Sequence, residues 1–138
     1  MAFEVFNPGE LGTPSGWNNG MLAETGGRVL FIAGQTARDP EGRIVSDDFV
    51  EQFGRALDLV LEVVRAAGGA AEDVGRMTIF VTDIEEYRAS LRGLGSAYRE
   101  RMGRHFPAMA LLEVNRLVDD GAKIEIEATA VLSPTEQD

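Results

Sequence analysis

Three carboxylates near the end of the chain are its best candidates for acid–base chemistry. Glu113, Glu125 and Glu127 fall in predicted strands. Side chains two residues apart on a strand point to the same side, so Glu125 and Glu127 share one face. A carboxylate on a partly buried face can have a raised pKa, which suits it to proton transfer. The alternative is exposure or pairing with Arg76 or Arg116. It is favoured for Glu127, and both interpretations stay open for Glu125.

Other residue types exclude most metal and nucleophile chemistry. The chain has no cysteine, which rules out disulfides, thiolate metal sites and cysteine nucleophiles. Its single histidine, His105, cannot form a multi-histidine metal site, and its place before Phe-Pro is typical of a surface or capping residue. The glycine pairs at 26–27 and 68–69 do not match phosphate-binding loops. We therefore expect no metal and no cofactor.

Length and charge define the class of protein. The 138 residues suit a single domain spanning 1–138, and the net charge of −10 repels polyanions, so we expect no nucleic-acid partner. No stretch approaches the ~18 apolar residues of a membrane span, and the first residues lack the features of a signal peptide. These features predict a cytoplasmic protein with no membrane partner.

The only tryptophan, Trp17, lies in a loop of glycine, proline, serine, threonine and asparagine. Two interpretations stay open for its ring. It either packs the loop onto the core or forms an aromatic wall of a ligand site.

Apolar spacing predicts two helices. One begins near Asp48 and ends at Gly68-Gly69, and the other runs from Asp83 to Gly103. Each has an apolar face with steps of three and four residues. The members of the two faces are Phe49, Phe53, Leu57, Leu61 and Val64 in the first helix, and Tyr87, Leu91, Leu94, Tyr98 and Met102 in the second.

Short apolar runs predict about six strands. FEVF at 3–6 is a short edge strand, and two runs around the turn at 25–28 predict a β-hairpin. RMTIFVTD at 76–83 has apolar residues on both faces, which indicates an interior strand. The stretch 106–132 predicts two strands joined by VDDGAK.

The predicted architecture is therefore α/β, with a mixed sheet of about six strands and two helices on one face. The uncovered face, which carries Glu125, Glu127 and Val131, must be wet or closed by another subunit. Oligomerisation is the simpler solution, because burying these carboxylates within one chain would require compensating partners.

Almost the whole chain, from about residue 3 to 132, resembles the Rid/YjgF family of reactive-intermediate deaminases, which are sometimes labelled endoribonucleases. The resemblance lies in VLFIAGQ at 29–35, VTDIEEY at 81–87, and Phe106-Pro107-Ala108 followed by LLEVNRL and KIEIEATAV. It implies a chorismate-mutase-like single domain and a homotrimer whose sheets line a central barrel, with clefts between subunits. Active members hydrolyse enamines or imines derived from amino acids to ammonia and a 2-oxo acid.

The resemblance also implies a site. The family arginine directly after Phe-Pro-Ala binds the substrate carboxylate, but this chain has Met109 there and so lacks both charge and donors. Glu125 is retained, and the family uses it to position or activate the attacking water. The implied substrate-binding residues are Trp17, Gly34, Leu91, Met109 and Leu111.

Two hypotheses follow for the function. In the first, the protein is a deaminase-like hydrolase for an enamine or imine other than the usual ones, with Arg38 or Arg116 as candidates to replace the missing arginine. In the second, it is a trimer that binds a small molecule, or regulates through it, and has lost the chemistry. Met109 favours the second hypothesis, and retention of Glu125 favours the first.

Overall fold

The computed structural model describes residues 2–135, which form six strands and three helices. Two short 3-10 turns lie at Gly9–Leu11 and Ala71–Asp73. The elements in chain order are β1 (Phe3–Phe6), β2 (Gly20–Ala23), β3 (Arg28–Gln35), α1 (Phe49–Ala66), β4 (Val74–Val81), α2 (Ile84–Ala89), α3 (Leu91–Met102), β5 (Ala108–Glu113) and β6 (Ile124–Leu132).

The strands divide between two sheets, so the prediction of one six-stranded sheet is wrong. β1 and β2 form an antiparallel pair, and the other four strands form a mixed sheet in the order β3-β6-β4-β5. Only β4 and β5 are parallel in that sheet. The α/β class and the mixed sheet are confirmed, as is the interior position of β4.

The predicted hairpin between β2 and β3 is also wrong. β2 pairs with β1 instead, and β3 pairs with β6. Side-chain hydrogen bonds from Asn7 to Asn18 (2.8 Å) and from the Asn19 amide to Asn7 Oδ1 (2.8 Å) stabilise the loop between β1 and β2. β3 has eight residues, and β6, with nine, offers it a longer ladder than the four-residue β2.

β5 and β6 are not neighbours, although a short connection joins them. β4 lies between them, parallel to β5 and antiparallel to β6. The connection passes the end of β4 and is hydrogen-bonded there, from the Val114 amide to Val81 O (2.8 Å) and from the Thr82 amide to Lys123 O (3.1 Å). The parallel pairing of β4 with β5 needs a crossover, which α2 and α3 supply.

The first predicted helix is confirmed as α1. The Asp48 side chain caps it by accepting from the Glu51 amide (3.0 Å), and Gly68, with φ of 90°, follows its end. Its apolar face packs on β3 and β6, and its outer edge packs on α3.

The second predicted helix is divided at Ser90 into α2 and α3. Asp83 caps α2 as expected, by accepting from the Glu85 and Glu86 amides. At Ser90 the hydroxyl donates to Glu86 O (2.8 Å) and the amide to Tyr87 O (3.0 Å). A serine that bonds to nearby backbone in this way competes with regular helix, which explains the break.

All three helices lie on one face of the four-stranded sheet. The residues of β6 that alternate toward the helices, including Ile124 and Ile126, are buried. The opposite face, called the open face below, exposes Phe31 by 81% and Val29 by 57% in the protomer. The expectation that helices cover one face only is therefore confirmed.

Buried Gln52 joins three segments. Its amide nitrogen donates to Ser46 O (2.7 Å) and Gly121 O (3.0 Å), and its side-chain oxygen accepts from the Lys123 amide (2.8 Å). We expect Gln52→Leu to lower the free energy of unfolding by about 3 kcal/mol, because it leaves three partly buried backbone groups without their partners. Urea unfolding measures the change.

The matched control for that substitution is Glu62→Gln, at an exposed position of α1. We expect it to stay within about 0.5 kcal/mol of the natural chain. A Gln52→Leu protein as stable as this control would show that the three hydrogen bonds do not hold the segments together.

Candidate functional site

A cleft of about 670 Å³ opens on the helix-covered face, between β5, the loop at 15–17 and the helices α2 and α3. Its walls are mainly aromatic and aliphatic. Arg99 is the only charged side chain among the described residues that line it. Such a volume and lining are typical of small-molecule sites. The apolar members of the lining are Trp17, Phe49, Phe53, Ile79, Tyr87, Leu91, Leu94, Tyr98, Phe106, Met109 and Leu111.

Four of the residues implied by the family resemblance lie together in this cleft. Met109 and Leu111 are neighbours of Met77 and Ile79 on the helix side of the sheet. Leu91 faces them from the start of α3. The remaining member is Trp17.

Trp17 is brought to the cleft by its neighbour Asn18. The Asn18 amide donates to Pro107 O (3.1 Å), and its side chain donates to Phe106 O (2.6 Å). These bonds tie the loop to the start of β5. The indole is 40% exposed, so it lines the cleft without being sealed in the core.

Glu125 and Gly34 lie together, but on the open face. A Cβ added to Gly34 would lie 2.8 Å from Glu125 Cδ, so the missing side chain leaves room for this carboxylate against β3. Ile126, the next residue of β6, faces the helices and is buried. The sheet therefore separates Glu125 from Met109 within one protomer.

The other two carboxylates do not join Glu125 in a catalytic cluster. Glu113 accepts a hydrogen bond from the Ile84 amide (2.9 Å) at the start of α2, where its negative charge is favourable. Glu127 is exposed, as the favoured interpretation predicted, and lies near Arg76 and Thr78 on the open face.

The two candidate replacements for the missing arginine lie outside the cleft. Arg38 donates to Gln35 Oε1 (3.0 Å), and neither Arg38 nor Arg116 is among the residues that line the cleft. Arg38 follows β3, and Arg116 lies in the connection after β5, so neither reaches the cleft of its own protomer.

His105 has a structural role. Its Nε2 is 2.6 Å from Val74 O, and Phe3 stacks on its ring with centroids 6.3 Å apart. This contact fixes the junction between α3 and β5 to the start of β4. The sequence indicated a surface or capping residue, whereas the half-buried ring contacts a carbonyl of β4.

Tyr98 is a wall of the cleft. Its ring stacks on Phe106 with a centroid distance of 5.3 Å, and its hydroxyl donates to His105 O (2.5 Å). Burial raises the pKa of the Tyr98 hydroxyl far above its usual value, so it remains a neutral donor.

Arg99 is the charged residue of the cleft that the sequence did not single out. It follows Leu91 and Gly95 at steps of four along α3, which places all three on one stripe of the helix. Its spacing from Leu91 is the signal in the sequence, because residues four apart on a helix are neighbours.

Neither a membrane helix nor a metal cluster appears in the described part of the chain. No helix within residues 2–135 has the length and apolar character to cross a membrane. The same residues contain no group of three or more histidine, aspartate or glutamate side chains placed to hold a metal ion.

Known proteins give an independent comparison. The family model described as Endoribonuclease L-PSP matches residues 14–132. A 2-iminobutanoate/2-iminopropanoate deaminase of Salmonella typhimurium is 35% identical over 105 residues, which cover 76% of this chain and 80% of that protein. The segment matched by the family model holds β2 to β6 and all three helices.

Solved structures agree with this comparison. A conserved Rid-family protein of unknown function from Yersinia pestis has a TM-score of 0.82 and 31% identity, over 96% of this chain and all of that one. TdcF of Escherichia coli, solved with bound serine, has a TM-score of 0.67 and 29% identity, over 88% and 92% of the two chains. By fold, sequence and family model, this chain belongs to the Rid/YjgF family.

Proposed function

We propose that this protein is a homotrimeric imine or enamine hydrolase whose site is shared between neighbouring subunits. The observation that carries the proposal is the division of the site residues. Trp17, Leu91, Met109 and Leu111 line a cleft on the helix-covered face, whereas Glu125 lies with Gly34 on the open face. A neighbouring copy is the simplest source of the missing half.

The division of the site residues between two faces also favours a ring-shaped assembly. Contact between the cleft edge of one copy and the open face of the next joins two different surfaces, and such head-to-tail contacts close into rings when the rotation allows. The family resemblance favours three subunits. Burial would also remove the exposed apolar side chains Val29, Phe31 and Leu112 from water.

The proposed imine hydrolysis would require only a few groups of the protein. Glu125, whose side chain makes no hydrogen bond to any residue in the range 2–135, accepts a proton from water as the water attacks the imine carbon. The attack gives a carbinolamine, whose nitrogen takes up the proton held by Glu125 and leaves as ammonia while the new hydroxyl loses its proton and becomes the carbonyl. The apolar walls limit access of bulk water and hold the substrate in place. The relative from Salmonella typhimurium is named for this class of reaction.

The substrate would differ from the usual amino-acid-derived imines. Met109 offers no charge at the position where the family binds a carboxylate, and the cleft around it is apolar and aromatic. A larger substrate body fits this lining. The same observation supports a second candidate function, in which the trimer binds a small molecule without transforming it.

Ammonia release from a panel of freshly generated imines tests the proposal. The natural chain should exceed the uncatalysed rate for at least one imine with an apolar side chain. If no imine is turned over while small molecules still bind the cleft, the binding-only function is the correct one.

A further inference from the structure

We propose that Arg99 binds an anionic group on the ligand, so that the cleft selects an anion with a large apolar or aromatic body. This rests on the proposed function only in assuming that the cleft holds a small molecule. Arg99 would act as a specificity-determining residue on α3, in a different place from position 109 on β5.

The Arg99 guanidinium lies against Gly95 of the same helix. Gly95, one turn before Arg99, has no side chain, and a Cβ there would lie 3.3 Å from Arg99 Nη1. The guanidinium therefore lies over the helix backbone at the edge of the cleft. Arg99 is exposed, so its charged group stays hydrated until a ligand enters.

Two nearby arginines make side-chain bonds that Arg99 lacks. Arg101 bonds to Asp58 Oδ1 (2.7 Å) and Ala97 O (2.9 Å), and Arg88 pairs with Glu85 (2.7 Å). The Arg99 side chain has no hydrogen bond or ion pair with any described residue, whereas its backbone carbonyl accepts a bond from the Gly103 amide (3.0 Å). Its N–H donors are therefore available to a ligand.

The lining of the cleft favours an anion with an apolar body. No acidic side chain lines it among the described residues, so nothing there neutralises Arg99. A planar guanidinium binds a carboxylate through two parallel hydrogen bonds. The rings of Trp17, Tyr87 and Phe106 provide apolar surface for the rest of the ligand. An arylalkyl carboxylate combines both features.

Fluorescence of Trp17 gives a direct test, because it is the only tryptophan of the chain and it lines the cleft. The probes are 3-phenylpropanoate and its uncharged amide, titrated into the assembled protein. We expect the carboxylate to bind the natural chain more tightly than the amide. Arg99→Gln should weaken carboxylate binding about tenfold or more and leave amide binding unchanged.

Arg92→Gln is the matched control, since it removes the same charge from the same helix outside the cleft. It should bind both probes like the natural chain. Equal carboxylate affinity in the Arg99 and Arg92 variants would overturn the proposal, as would an absence of carboxylate binding to the natural chain. Imine turnover is measured separately, so failure of the Arg99 proposal and failure of the hydrolase proposal give different results.

Discussion

Replacement of Glu125 by glutamine is expected to lower the rate of imine hydrolysis by about 10²–10⁴-fold, the range typical for loss of a general base. Glutamine keeps the size of the side chain and its place beside Gly34, but it cannot take a proton from water. The Glu125 side chain has no hydrogen-bond partner among residues 2–135, so the substitution should leave the fold and the assembly intact. Ammonia release at saturating imine measures the effect.

Glu127→Gln is the matched control for this experiment. It lies two residues further along β6, on the same face, and is more exposed. We expect it to keep nearly the full rate. Equal losses in the two variants would indicate a general effect of charge on the open face, and full activity in Glu125→Gln would remove Glu125 from the mechanism.

Replacement of Phe31 by aspartate is expected to yield monomers and to abolish the proposed site between subunits. Phe31 is 81% exposed in the protomer and lies at the centre of β3 on the open face. If a neighbour covers it, the substitution places an unpaired charge in a buried contact, which is strongly unfavourable. Sedimentation or light scattering should give the mass of one chain, against three for the natural protein.

Ala66→Asp is the control for that loss of assembly. It introduces the same charge at the exposed end of α1, away from the open face. It should assemble like the natural protein. A natural chain that is already monomeric, or a Phe31→Asp protein with unchanged mass, would contradict the proposed trimer.

Local patterns predicted the elements well, because they depend on neighbours in sequence. The spacing of Phe49, Phe53 and Leu57 identified α1, and alternation assigned Glu125 and Ile126 to opposite faces of β6. Pairing between strands is different, since it is a choice among all strands of the fold. Sequence adjacency therefore predicted a β2–β3 hairpin that does not form, and it missed β4 between β5 and β6.

The sequence predicted only part of the site, because contacts between segments that are distant along the chain decide which residues meet. The family resemblance named Trp17 and Met109, which the structure brings to one cleft through the contacts of Asn18 with the start of β5. Arg38 and Arg116 are candidates to replace the missing arginine that the sequence does not place, and neither lines the cleft. Arg99 could have been found from its spacing to Leu91, but only the packed helices show that this stripe borders the cleft.

Cross-linking between positions 109 and 125 tests the shared site most directly. The natural chain has no cysteine, so Met109→Cys and Glu125→Cys introduce the only thiols. The two single variants are co-expressed and treated with a short bismaleimide, then separated on a denaturing gel. We expect covalent dimers in the mixture and monomers from either variant alone. Absence of dimers in the mixture, or equal dimer formation by one variant alone, would contradict a site formed by the cleft of one subunit and Glu125 of the next.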